Sequence, residues 1–92
     1  MPEMPQQDPY QCVEEAGSIK SVTYNGQVFS FNDDVKVYSK SNDRMEADWK
    51  IMGLHRDPEH GILAHVGANE PQSSSGIKFK YVSIKQLAEW QN

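Results

Sequence analysis

Asn25-Gly26 constrains this chain more than any other dipeptide in it. Both residue types tolerate the positive φ that a type I′ turn needs at its two central positions, and that turn matches the twist of two antiparallel strands. The flanks fit. Ile19 to Tyr24 is rich in β-formers, and Gln27 to Phe31 supplies a return strand. Period-two alternation puts Phe29 and Phe31 on one face of that strand, Val28 and Ser30 on the other. The folded unit is predicted to begin near Ser18.

The rest of the chain continues in the same manner. Asn32-Asp33-Asp34 reads as a polar turn, and Val35-Lys36-Val37-Tyr38 alternates again. Residues 39–48 are polar and read as a loop. Over 48–56, Trp49, Ile51 and Gly53 alternate with Lys50, Met52 and Leu54; a strand is favoured because Gly53 would weaken a helix interior. The alternative is an α+β fold with 45–53 helical on the sheet. Asp57-Pro58-Glu59-His60-Gly61 has Pro early and Gly late, the chemistry of a tight turn. So 48–56 and 61–67 form a second predicted hairpin, with Ile62, Ala64 and Val66 on one face and Leu63 and His65 opposite. A loop follows over 69–76. Ile77 to Val82 is the cleanest strand: Ile77, Phe79 and Tyr81 on one face, assigned to the core, and Lys78 and Lys80 on the other. Ser83-Ile84-Lys85-Gln86 matches a capping box, with Val82 and Leu87 as its hydrophobic staple. It starts a helix over 84–91 with Ile84, Leu87 and Trp90 along one side. Two turns are marginal in water, so that helix must lie on the sheet.

Length and charge narrow the classes. Ninety-two residues make one domain with a thin core. Cys12 is the only cysteine, so packing alone holds the fold, and a reducing cytoplasm is the expected compartment. No apolar run reaches the length of a signal segment or a membrane span, and Met1-Pro2-Glu3 is acidic where a signal peptide would be basic. Residues 1–17, with Pro2, Pro5 and Pro9 and no apolar period, read as a flexible leader to a domain at 18–92. The net charge is −4. It is uneven: six acids oppose Lys20 over residues 1–34, while Lys78, Lys80 and Lys85 oppose Glu89 over 76–92. A net acidic chain argues against general nucleic-acid affinity, which comes mainly from neutralising phosphates. The C-terminal lysines keep that class open.

About five short strands, two tight hairpins and a terminal helix make an all-β fold, a small barrel. In Phe31-Asn32-Asp33-Asp34-Val35-Lys36-Val37-Tyr38 the chain resembles the SH3-like barrels, the group that includes Tudor, chromo-barrel and KOW domains. Asn32 and Asp33 stand near the place of the Gly-Asp turn usual in those families. Trp49-Lys50-Ile51 followed by the hairpin through Gly61, and Tyr81-Val82-Ser83 leading into Leu87, extend the resemblance over 26–90. It implies a binding module, since such barrels take proline-rich peptides, methylated side chains, nucleic acids or other proteins.

His55, His60 and His65 recur every five residues with Asp57 and Glu59 between them. Imidazoles with a carboxylate suit zinc, but the spacing matches no ligand pattern, and exposed turn and strand histidines are the plainer reading. Cys12 sits beside Glu14 and Glu15, which raise a thiol pKa rather than activate it. Neighbouring carboxylates on turns do not make an acid–base pair across a cleft. With no Gly-rich phosphate loop, nucleophile elbow or metal motif, neither an enzyme nor a cofactor is expected. Phe29, Phe31, Trp49, Phe79 and Tyr81 are needed for the core of so short a chain. Tyr24 and Tyr38 fall out of phase with them and are surface candidates for binding; Trp49 is kept as a third. Lys78, Lys80 and Lys85 are candidates for a basic strip, against the bland reading of a solvated face that discourages edge pairing.

The leading expectation is therefore a non-enzymatic module whose partner is a protein or peptide, using exposed tyrosines and the 39–48 and 68–76 loops. A nucleic-acid adaptor using the lysine strip stands second. An acidic inhibitor of a basic protein, acting through Glu3 to Glu15 and Asp33-Asp34, is third. A metal or hydrolytic site at the histidines is fourth.

Overall fold

The Asn25-Gly26 turn forms as its residues dictate, with φ of 50° and 80°. It joins two strands of a computed structural model that describes residues 9–91. The elements are β1 (Tyr10–Glu15), β2 (Ser18–Tyr24), β3 (Gln27–Ser30), β4 (Asp34–Ser39), β5 (Arg44–Asp57), β6 (Gly61–Asn69), β7 (Ile77–Ser83) and α1 (Ile84–Gln91). Strands β1-β2-β3 form one antiparallel sheet and β4-β5-β6-β7 another. The two sheets are not closed into a barrel. In place of the expected barrel of about five strands, the described residues form a mostly β arrangement of seven strands in two open sheets, with one short helix. The chain leaves β3 after four residues, and its next residues bond to β5: Asn32 N–H donates to Ile51 O at 2.7 Å and Ile51 N–H to Asp33 O at 3.0 Å.

Two further expectations change. Six residues of the expected leader, Tyr10–Glu15, are a strand paired with β2, with Tyr10 opposite Tyr24 and Cys12 opposite Val22. Ala16 and Gly17 turn the chain at φ 54° and 80°, the geometry of a two-residue hairpin carried by an alanine that does not advertise it. Pro2 and Pro5 lie outside the described residues. Most of 39–48 is not a loop either, because β5 already begins at Arg44. Its fourteen residues run through 45–53, so the helical alternative is overturned. The second hairpin holds: Asp57 accepts from the backbone N–H of Glu59 and His60, and Gly61 has φ 81°.

Between the sheets lies one core, with Val22, Val37, Ile51, Ile62 and Val66 fully buried. The helix closes it with Ile84, Leu87 and Ala88, packing chiefly on β4. Ser83 caps the helix by accepting from Gln86 N–H at 3.2 Å, while the Gln86 amide donates to Glu89 instead of reaching back.

Strand β7 departs most from expectation. Its alternation is as read, but the faces are reversed. Lys78, Lys80 and Val82 point inward, and Ile77, Phe79 and Tyr81 point out, with Tyr81 61% exposed. Phe31, grouped with Phe29 by period, is 57% exposed, because β3 has ended and the chain is turning.

Candidate functional site: an aromatic and histidine face

The outward sides of β5, β6 and β7 carry an apolar surface. A bulge between Ile51 and Gly53 breaks the β5 register and leaves Met52 outward. Opposite, Gly67 pairs with Phe79, and its missing side chain is what lets its neighbours close over it. A Cβ there would lie 2.6 Å from Met52 Sδ and 3.2 Å from the Phe79 ring. His65 pairs with Tyr81, and their rings stack at 4.6 Å and 11°. His65 also lies 5.2 Å from the Phe79 ring, and His55 lies 6.1 Å from Tyr81. At the other end a hollow of about 200 Å³ is lined by Phe31, Lys50, Met52, Gly67, Asn69 and Ile77. Lys50 is held by Asp34 at 3.0 Å, and Asp48 also lines the hollow, so this rim carries a net negative charge. Phe31, Met52, Ile77, Phe79 and Tyr81 together expose on the order of 500 Å², the upper range for the largest apolar patch on a soluble monomer.

The residues singled out from sequence lie elsewhere, in three places. Trp49 is buried, and Lys78 Nζ and Lys80 Nζ sit 5.1 and 5.8 Å from its ring centroid. Lys80 is also 5.7 Å from the Trp90 ring and donates to Tyr38 O at 3.0 Å. Lys78 pairs with Glu46 at 3.2 Å. These lysines are spoken for by the inner side of the sheet, and Lys85 stands apart, exposed on α1 beside Tyr24. The three do not share a face. Tyr24 is half-buried against Tyr10 at 5.3 Å. Tyr38 donates its hydroxyl to Asp43, and that bond, with partial desolvation, raises the phenol pKa.

Glu46 organises the inner cluster. Burial pushes its carboxyl pKa up, but donors from Trp49, Lys78 and Asn42 outweigh that and hold it below the ordinary value. Asp57 is lowered by hydrogen bonds from the His60 ring and backbone. Among the described residues, no three of His, Cys, Asp and Glu gather as a metal site. His60 faces Asp57, while His55 and His65 flank Tyr81. Cys12 packs half-buried against the core.

Alternation grouped Ile77 with Phe79 and Tyr81, and His65 with Leu63, but it is silent on which face turns inward. The signal that would have decided it is the pair of tryptophans, whose rings need covering and accept lysine stems.

Fold and face together define a small two-sheet β protein with an exposed aromatic surface. No family model matches the chain, and neither curated proteins nor solved structures give a significant match.

Proposed function

We propose that this chain is a non-enzymatic protein-interaction module, and that it binds its partner through the aromatic and histidine face. The observation that carries this reading is the exposure of Phe31, Phe79 and Tyr81 on one side of a rigid sheet. A chain this short needs its large apolar groups inside, and aromatic rings left in water over that area mark interaction surfaces. Lysines that would serve a nucleic acid are instead engaged with Glu46, the tryptophans and a backbone carbonyl. That favours a protein or peptide over nucleic acid as the partner. The SH3-like resemblance of 31–38 belongs to the same proposal, as an opened-out relative of barrels that bind. So does a reducing cytoplasm as the setting, where Cys12 stays a thiol.

The test is capture of partners by tagged protein from native lysate after nuclease treatment, comparing the wild type with a Phe79→Ser/Tyr81→Ser variant. Partners that survive nuclease and are lost with the variant support the reading. Partners retained by the variant, or removed by nuclease, refute it.

A further inference from the structure

A sheet edge presents unpaired backbone N–H and C=O groups, and proteins blunt such edges with bulges, short strands, charges or covers. All four edges among the described residues carry some such device, and on one of them it reaches only the first residue. β1 carries a bulge at Val13/Glu14 and the acids Glu14 and Glu15. β3 is only four residues long, and its Ser30 N–H donates to the Asp33 carboxylate at 2.9 Å. β4 is plugged. The Gln91 side-chain amide accepts from Lys36 N–H at 3.0 Å and donates to Lys36 O at 2.8 Å, occupying that edge as a strand would.

The fourth edge is β7, where the hydroxyls of Ser73 and Ser75 engage the backbone of Ile77 at its first position and, among the described residues, nothing covers Phe79 to Tyr81. It is seven residues long, regular in register, without proline or bulge. Among the described residues its backbone from Phe79 to Tyr81 is paired to β6 alone. It contains two lysines, the residue type that elsewhere discourages pairing. Here both stems turn inward onto Trp49, so they cannot act as gatekeepers. Its outward side chains, Ile77, Phe79 and Tyr81, carry no charge.

We infer that two copies of this chain pair antiparallel through their β7 edges, making one eight-stranded sheet across a two-fold axis near Lys80. The strand is suited to itself. That axis sets Phe79 of each copy beside Tyr81 of the other, giving two aromatic cross-strand contacts from one symmetry operation. The Lys80 ammonium groups are drawn away from the axis by Trp49, Trp90 and Tyr38 O. The apolar face of one copy falls short of the roughly 800 Å² per partner of a stable interface. Edge pairing leaves most of that face in water, so what it contributes is the new backbone bonds and the Phe79–Tyr81 cross-strand contacts. Because the β4 edges are plugged, the assembly closes at two copies rather than growing into a ribbon.

The inference shares residues with the proposed docking face but does not require that reading. The experiment is light scattering on the full chain after size exclusion, from low micromolar to millimolar concentration. It is run on the wild type and on Phe79→Lys/Tyr81→Lys, which sets lysines opposite lysines at exposed positions. Hydrogen exchange is followed on the same samples. Expected for the wild type is a mass twice the 10.5 kDa of the chain, with alternate β7 amides gaining protection as concentration rises. The variant should stay monomeric with an unchanged circular dichroism spectrum. A wild type that is monomeric throughout, a dimer that survives both lysines, or β7 exchange independent of concentration overturns the pairing. A monomer that still captures a partner through Phe79 and Tyr81 overturns the pairing alone and leaves the interaction reading standing.

Discussion

Replacing Tyr81 and Lys80 separately by alanine tests the facing of β7, and with it the site. Tyr81 is 61% exposed. A tyrosine presents about 150–250 Å², so roughly 80 Å² of it is buried. At about 25 cal/mol per Å² that is at most ~2 kcal/mol, and a compact unfolded chain reduces it to roughly 1.2–1.8. A tyrosine in the core would cost about 3–5 kcal/mol. Lys80 runs the other way. A lysine on a solvated strand face costs under about 0.5 kcal/mol to truncate. Here truncation removes contact with two indole rings and leaves Tyr38 O without its donor. Cation–π attraction of about 0.5–2 kcal/mol and a charged hydrogen bond of about 1.5–3, less the side-chain entropy regained, give roughly 2 kcal/mol. The stack on His65 adds about 0.5–1.5 kcal/mol to the Tyr81→Ala cost, so the expected outcome is two comparable losses, each of roughly 2–3 kcal/mol. Urea unfolding at fixed pH reads it, and melting should fall by about 4–8 °C per kcal/mol in a domain this size. A chain of this length holds on the order of 5–14 kcal/mol, so both variants stay folded. A Tyr81→Ala loss of about 4 kcal/mol or more, or a Lys80→Ala loss under about 0.5, refutes the assignment of faces.

Two further outcomes follow from the same geometry. Glu46 has a carboxyl pKa held below its ordinary value, so its contribution to stability is present above the unfolded value and is lost as pH falls through the folded one. Glu46→Gln should be less stable near neutrality and show a flatter decline on acidification; parallel acid limbs for the two proteins would contradict this. At Gly61, φ is 81° and a Cβ would come within 2.5 Å of the Tyr10 ring. Gly61→Ala should cost about 1–2 kcal/mol from backbone strain alone and loosen β1, read as faster amide exchange over 10–15; unaltered exchange there would count against the contact.

What sequence could show here was local. Asn25-Gly26, the Asp57–Gly61 turn and the Ser83 cap each satisfy a backbone need within a few residues, and all three form at the expected places. The strand Ile77 to Val82 and the inward set Ile62, Ala64 and Val66 follow from period two. What stayed hidden was non-local. Which side of β7 faces inward depends on Trp49, nearly thirty residues earlier, and on Trp90 after it. The first strand was masked by an acidic, proline-containing context and by a turn built on Ala16. Tyr38 and Tyr24, out of phase with the core, were sound surface candidates by periodicity, yet Asp43 and Tyr10 occupy them. The aromatic face was missed because large apolar residues in a short chain are expected inside.

The Gln91–Lys36 contact spans 55 positions of sequence. Its consequence is one of timing. As the chain is synthesised from its N-terminal side, β4 and β5 are complete long before residue 91 exists, and until the helix docks the β4 edge lies open. Until then the sheet has two uncovered margins, β4 as well as β7. In the proposed pair, the last turn of the helix is thus what keeps the β4 margin from extending the sheet further.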